Sequence, residues 1–193
     1  MNPAYAKALV LLAAGALGVI RGAHTRMRPA VTVASRRGGS LESLALAATA
    51  VGLAVPVIWA ASSWFAFADF TLRELPFAAG ACILAVSLWL FHRTHADLGA
   101  NWSARLQIVQ THRLVTSGIY GRIRHPMYLS LLLYGLGQAL VVPNWIVGPC
   151  GLAGATLLFA LRVGPEEQMM RERFGAEYEA YAARTKRLIP RLW

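Results

Sequence analysis

Long uncharged stretches alternate along this chain with segments rich in arginine. The uncharged stretches are 8–20 (extended back to about residue 3), 43–68, 75–91 and 126–161. Because about 20 apolar residues in a helix cross the hydrocarbon core of a bilayer, this pattern predicts membrane-spanning helices. Pro143 and Asn144 divide the last stretch into two similar halves, which predicts a tight helical hairpin. The chain is therefore predicted to be all-α, with five transmembrane helices.

The distribution of basic residues agrees with five spans. Lysine and arginine concentrate in the segments 21–37, 92–125 and 162–193, which five spans place on one side of the membrane. Only Lys7 and Arg73 fall on the other side. Since basic residues favour the cytoplasmic side, we predict a multi-pass integral membrane protein with a cytoplasmic C-terminus and an external N-terminus.

Composition supports the same class. The chain has 193 residues, of which 56% are hydrophobic and 15% are charged, against about 25% charged in a soluble domain. The length predicts one membrane domain, 1–193, with three N-terminal spans in 1–91 and a functional core in 92–193. The net charge of +10 is explained by the positive-inside pattern, so no nucleic-acid partner is predicted. A signal peptide is the alternative for the first stretch, but no small-residue cleavage motif precedes Arg21, which favours a retained helix.

The segment 165–186 has the pattern of an amphipathic helix. Apolar side chains recur on one face at helical spacing: Met170, Phe174, Tyr178 and Tyr181. Such a helix lies on the membrane surface or packs over a pocket, and both arrangements are compatible with the sequence.

The junction between the basic segment and the last apolar stretch is the strongest candidate for chemistry. Pro126 suits the first position of a helix, which places His125 at a helix N-terminus near the membrane surface. Unpaired N–H groups and the helix dipole at such a position favour a carboxylate or a phosphate. The structural alternative is that Gly118 and Gly121 are loop residues and that the neighbouring arginines anchor the membrane interface.

Four sequence strings resemble a known family. RHPMY at 124–128, preceded by LVTSGIY at 114–120, is similar to the isoprenylcysteine carboxyl methyltransferases and the related lipid-amine methyltransferases. LGANWS at 98–103 and FGAEYEAY at 174–181 resemble the same family. The resemblance spans roughly residues 97–190 and leaves the first three spans without a signature, so no functional residue is predicted there.

The resemblance implies specific site residues. Cofactor contacts are implied for Gln107, His112, Arg113, Leu114, Val115, Tyr120, His125, Pro126, Met127, Tyr128 and Glu166. Arg162 corresponds to a substrate contact, and Arg162 and Glu166 are the predicted catalytic pair. Pro165 lies between them and is expected to kink or break their shared helix. The structural alternatives are a membrane-edge anchor for Arg162 and an acidic first turn for Glu166 and Glu167.

The family resemblance also implies an activity. It predicts an S-adenosylmethionine-dependent membrane methyltransferase whose cofactor pocket lies on the cytoplasmic side under the C-terminal amphipathic helix. The acceptor would be a lipophilic small molecule or a prenylated substrate that enters from the membrane lipids, and its methylated group would be a carboxylate. The alternatives are N-methylation of a lipid headgroup amine, a sterol-reductase-like enzyme that uses NADPH, and a non-enzymatic scaffold. No metal-binding spacing is present, so no metal is predicted.

Overall fold

The computed structural model describes residues 1–26, 33–36, 39–99, 107–109 and 113–189. The helices in this part of the chain are α1 (Pro3–Arg26), α2 (Ser40–Ala61), α3 (Glu74–Leu98), α4 (Pro126–Val141), α5 (Val147–Phe174) and α6 (Ala176–Arg184), with single 3-10 turns at Ala66–Ala68 and Gly118–Gly121. Two short strands, β1 (Val33–Arg36) and β2 (Gln107–Val109), pair antiparallel. The prediction of an all-α polytopic membrane fold is confirmed, with this strand pair as a small addition.

Four of the helices, α1, α2, α3 and α5, are long and apolar enough to cross a membrane. Helix α4 is apolar but has only 16 residues, which corresponds to about 24 Å against a hydrocarbon core of about 30 Å. Five apolar helices therefore form the bundle, while the count of five complete spans stays a prediction. The 28 residues of α5 reach about 42 Å, so its last turns extend beyond the core thickness.

One end of the bundle gathers the N-terminus and two connections. The amino group of Met1 donates to the carbonyl of Leu72 at 3.1 Å, and the N–H of Phe70 donates to the carbonyl of Pro143 at 2.8 Å. The loop after α2 and the hairpin between α4 and α5 therefore meet at this end. The last turns of α1, α3 and α5 lie at the opposite end. In the sequence, the segments that follow these helices hold most of the basic residues.

We expect the end that holds the loop after α2 to face the outside of the cell. Thr71 is exposed in that loop, so a Thr71→Cys variant with Cys82 and Cys150 replaced should react with an impermeant thiol reagent on intact cells. A Glu177→Cys variant, exposed on α6, is the matched control and should react only after permeabilisation. The reverse labelling pattern would show that the orientation predicted from the basic residues is wrong.

The second apolar stretch forms a shorter helix than predicted: α2 ends at Ala61 and not at residue 68. A polar cluster holds the following residues as a loop. Asp69 accepts hydrogen bonds from the Trp59 indole at 2.8 Å and from the Asn144 amide at 2.6 Å, and that amide also donates to the carbonyl of Phe65 at 2.7 Å. These bonds join the loop to the hairpin, so tertiary contacts override the apolar pattern.

Helix α5 does not break at Pro165, contrary to the expectation, and runs without interruption to Phe174. Proline removes one backbone hydrogen bond, but buried contacts of the neighbouring turns hold the helix together. The tail divides instead at Gly175, whose φ of +50° ends α5 and begins α6. Arg162 and Glu166 therefore lie one turn apart on one helix.

Close backbone contact holds the C-terminal hairpin together. A Cβ atom added to Gly135 in α4 would lie 2.5 Å from the Leu152 Cα in α5. Small residues at such crossings allow helices to approach closely in membranes. This packing fixes the start of α4 beside the second half of α5, where the predicted site residues lie.

Candidate functional site

A cavity of about 740 Å³ lies within the helix bundle. Its volume falls in the usual range for small-molecule sites, about 300–1,000 Å³. One part of its wall is apolar and is built largely from the N-terminal helices: Ala14, Leu17 and Gly18 from α1, Leu46, Ala50, Leu53 and Ala54 from α2, and Leu131 and Tyr134 from α4. The first two helices therefore contribute to the site, although their sequence gave no signal of it.

A second group of residues in the wall carries an excess of positive charge. Four arginines line the cavity, at positions 21, 113, 124 and 162, together with His125. Glu166 is the single acidic residue among the described residues that line it. This imbalance favours ligands that carry a negatively charged group next to an apolar body.

Most of the predicted site residues meet in this cavity. Those that line it are Arg113, Leu114, Val115, Tyr120, His125, Pro126, Met127, Tyr128, Arg162 and Glu166. Gln107 lies in β2, where its backbone pairs with β1, and His112 lies outside the described residues. The geometry brings lining residues of the segment 113–128 together with Arg162 and Glu166, while the roles of the individual residues stay predictions.

The N-terminus of α4 differs from the expected arrangement. The N–H of Arg124 donates to the carbonyl of Lys186 at 2.7 Å, and the N–H of His125 donates to the carbonyl of Arg187 at 3.0 Å. The N–H of His125 is thus already satisfied by the C-terminal segment. In the first turn, Met127 and Tyr128 have N–H groups without an intrahelical acceptor, and both residues line the cavity.

Glu167 is the electrostatic centre of this region. Its carboxylate, with the side chain 1% exposed, pairs with Arg187 at 2.9 Å, with Arg124 at 3.2 Å, with His125 at 3.2 Å and with Arg171 at 3.5 Å. The hydrogen bond with this carboxylate raises the pKa of Arg187. Glu167 therefore joins α5 to the start of α4 and to the C-terminal segment, and it acts as a structural anion.

Glu166, the preceding residue, faces the cavity instead. The Tyr128 hydroxyl donates a hydrogen bond to its Oε2 at 2.5 Å. The contact joins the first turn of α4 to α5 across the polar part of the cavity. Two adjacent acids thus have different environments, although the structural alternative from the sequence, an acidic first turn, was the same for both.

Helix α6 contributes two buried tyrosines to the same wall. Tyr178 and Tyr181 line the cavity, and the Tyr181 hydroxyl donates to the carbonyl of Tyr120 at 2.8 Å. Burial raises the pKa of Tyr181 to about 12, so its hydroxyl stays protonated and remains a donor at neutral pH. Arg124 also donates to the carbonyl of Ala182 at 2.9 Å, which fixes α6 against the start of α4.

The loop before α4 is held by a residue that the sequence analysis missed. Asp97 in α3 accepts the N–H of Ile119 at 2.8 Å and pairs with Arg93 at 3.0 Å. Gly118 has a φ of +59°, and any Cβ there would collide with the Asp97 carboxylate. The glycine is required at this position, and the loop it forms carries Tyr120 to the cavity.

A second residue that the sequence did not reveal is Glu42 in the first turn of α2. Its Oε1 lies 3.6 Å from Nη2 of Arg162, and both side chains are buried. The sequence signal for it was slight, since it is one acid just before an uncharged stretch. No group of three metal-ligating side chains converges in the part of the chain that the structure describes.

The helical bundle and its amphipathic cavity define the class of the protein, a polytopic membrane protein with a cavity between its helices. Residues 78–172 match the family model described as the isoprenylcysteine carboxyl methyltransferase (ICMT) family. This match confirms the resemblance that the sequence strings indicated: over these residues, the chain is similar to the isoprenylcysteine carboxyl methyltransferase family.

Curated relatives carry names from the same family. A probable protein-S-isoprenylcysteine O-methyltransferase of Oryza sativa subsp. indica is 32% identical over 90 residues, which are 45% of this chain and 45% of the relative. The protein-S-isoprenylcysteine O-methyltransferase of Tribolium castaneum is 28% identical over 142 residues, 69% of this chain and 50% of the relative. The chain thus spans about half the length of these relatives.

A solved structure shares the fold. It is described as the eukaryotic intramembrane Ras methyltransferase ICMT, and it superposes with a TM-score of 0.54 over 80% of this chain and 53% of that chain. At 21% sequence identity, this match supports the fold and not the function.

Proposed function

We propose that the protein transfers a methyl group from S-adenosylmethionine to the carboxylate of a lipophilic acceptor such as an isoprenylcysteine. The observation that carries this proposal is the division of one cavity into an apolar part and an arginine-rich part. A prenylated carboxylate has the same two parts. The names of the relatives support the same chemistry, although the chain covers only about half of their length.

The donor set of the cavity fits the cofactor. The N–H groups of Met127 and Tyr128 at the start of α4 would hold its carboxylate. The Glu166 carboxylate would accept hydrogen bonds from the ribose hydroxyls or the ammonium group, and the faces of Tyr120 and Tyr128 would pack against adenine or the sulfonium. When bound, S-adenosylmethionine supplies the electrophilic methyl group.

The acceptor would bind between Arg162 and the apolar wall. An arginine pairs with a carboxylate through two parallel hydrogen bonds, which orients the reacting oxygen. A carboxylate is already ionised at neutral pH, so the reaction requires no strong base. The protein's residues then act by positioning the acceptor and by excluding water. In the proposed orientation, the acceptor enters from the bilayer and the cofactor from the cytoplasm.

The direct test uses purified protein in detergent with S-adenosylmethionine labelled on its methyl group. We expect label to appear as a base-labile methyl ester on an N-acetylated prenylcysteine and not on the methyl ester of the same compound. Transfer to phosphatidylethanolamine instead would favour the headgroup amine alternative. Binding of NADPH without binding of S-adenosylmethionine would favour the reductase alternative and contradict the proposal.

Glu166→Gln should weaken cofactor binding without unfolding the protein. Losing one charge-assisted hydrogen bond costs about 1.5–3 kcal/mol, which is roughly one to two orders of magnitude in affinity. Calorimetry with S-adenosylmethionine and no acceptor measures this loss. Glu172→Gln, on the same helix but exposed, is the matched control and should bind as the wild type does. Equal affinity of the Glu166 variant and this control would remove Glu166 from the cofactor site.

A further inference from the structure

The contact between Glu42 and Arg162 joins the N-terminal half of the chain to the predicted acceptor site. Oε1 of Glu42 lies 3.6 Å from Nη2 of Arg162, with 4% of the Glu42 side chain and 8% of the Arg162 side chain exposed. Glu42 lies outside the matched residues 78–172. The pair therefore crosses from α2 to α5 and connects an unmatched helix to a predicted substrate contact.

The two partners differ in their relation to the cavity. Arg162 is among the described residues that line it, and Glu42 is not. Leu46, four residues after Glu42 and thus on the same face of α2, does line it. Glu42 therefore contacts Arg162 without lining the cavity itself.

This arrangement has two opposing effects on an anionic ligand. A guanidinium has five N–H donors in a planar fork, so one edge can face Glu42 while another faces a second carboxylate. Holding one edge restricts the orientation of the other, which favours a single geometry for the bound acceptor. A carboxylate bound at Arg162 would also be repelled by the charge of Glu42 through a low-dielectric interior.

We infer that Glu42 is a positioning residue for Arg162, which fixes the guanidinium for methyl transfer and at the same time limits the affinity for a carboxylate acceptor. The inference rests on the proposed function for its catalytic part. Its binding part concerns only the recognition of a carboxylate by Arg162. Glu42 makes no contact with the reacting atoms in this account and acts through the arginine.

The matching variant is Glu42→Gln, which keeps the size of the side chain and removes its charge. We expect KM for a prenylcysteine acceptor to fall about tenfold, because the repulsion is removed. We expect kcat to fall about tenfold as well, because the guanidinium is less well oriented. Glu42→Asp keeps the charge on a shorter side chain, so its KM should stay near the wild-type value. Its kcat should lie between the kcat of the wild type and that of Glu42→Gln.

A purely structural role would give a different result. Ser87→Ala removes a buried hydrogen bond between α3 and α4, from the Ser87 hydroxyl to the Ser130 carbonyl at 2.8 Å, and Ser87 is not among the described residues that line the cavity. This control should lower the thermal midpoint with KM unchanged. If Glu42→Gln behaves in the same way, with unchanged KM and a reduced fraction of active protein, Glu42 only supports the fold and the inference is wrong.

A binding measurement separates this inference from the proposed function. Calorimetry compares an N-acetylated prenylcysteine with its uncharged methyl ester, for the wild type and for Glu42→Gln. We expect the variant to bind the carboxylate about tenfold more tightly and the methyl ester equally well. Equal carboxylate affinity in the two proteins overturns the inference. A wild type that binds the carboxylate but forms no methyl ester contradicts the proposed function and leaves the electrostatic role of Glu42 to be decided by this binding result.

Discussion

Arg162→Ala is expected to lower methyl transfer to a carboxylate acceptor by about two orders of magnitude and to leave S-adenosylmethionine affinity nearly intact. Truncating one partner of a buried charge pair costs about 2–5 kcal/mol. Because Arg162 is the predicted acceptor contact, this loss weakens the binding of the acceptor and not that of the cofactor. Steady-state kinetics with a prenylcysteine and calorimetry with the cofactor measure the two effects. Arg162→Lys should recover only part of the activity, because an ammonium group lacks the planar fork.

The contact with Glu42 requires a control for folding. Arg162→Ala removes this arginine from beside the buried Glu42 carboxylate, and the loss of one partner of a buried charge pair destabilises the protein. The double variant Arg162→Ala with Glu42→Gln removes both charges and should recover thermal stability while staying inactive on the carboxylate. Full activity in either variant would show that the acceptor is not held as a carboxylate at Arg162, and the headgroup amine alternative would gain support.

Of the variants considered, Glu167→Ala is expected to lower the free energy of unfolding the most, by about 3–5 kcal/mol. The carboxylate is buried and balances Arg124, Arg187 and Arg171 in addition to its contact with His125. Its removal leaves several cationic groups close together without the anion that holds them. Unfolding in detergent, followed by circular dichroism against denaturant, measures the change.

A neighbouring ion pair provides the matched control for this prediction. Glu179 also pairs with Arg171, at 3.0 Å, but its side chain is 60% exposed. Exposed pairs contribute about 0–1 kcal/mol, so Glu179→Ala should leave the free energy of unfolding nearly unchanged. A loss for Glu167→Ala no larger than that of Glu179→Ala would show that the buried cluster is not a determinant of stability.

The sequence predicted the parts of the fold that depend on local composition. Uncharged stretches marked the five apolar helices, and Pro143 with Asn144 marked the hairpin between α4 and α5. Pro126 correctly predicted the start of α4. The sequence did not predict the end of α2, because the contact between Asp69 and Asn144 joins residues 75 positions apart and has no local signature.

The candidate site was predictable only where a string of residues resembled a family. Arg162 and Glu166 were found in this way, and both line the cavity. Glu42 and Asp97 were not found, since each meets its partner through tertiary packing between helices. The different environments of Glu166 and Glu167 were also hidden, because rotation about the α5 axis decides which acid faces the cavity and which is buried in ion pairs.

The backbone contacts between the start of α4 and the C-terminal segment affect the order in which the site can form during synthesis. The N–H groups of Arg124 and His125 bind carbonyls of Lys186 and Arg187, about 60 residues later in the chain. At roughly 5–20 residues per second, the ribosome makes those partners about 3–12 s after the start of α4. The first turn of α4 therefore gains these contacts only after α5 and α6, which lie between the partners in the sequence, have been made. A chain truncated before residue 186 would lack the carbonyls that bind the N–H groups of Arg124 and His125.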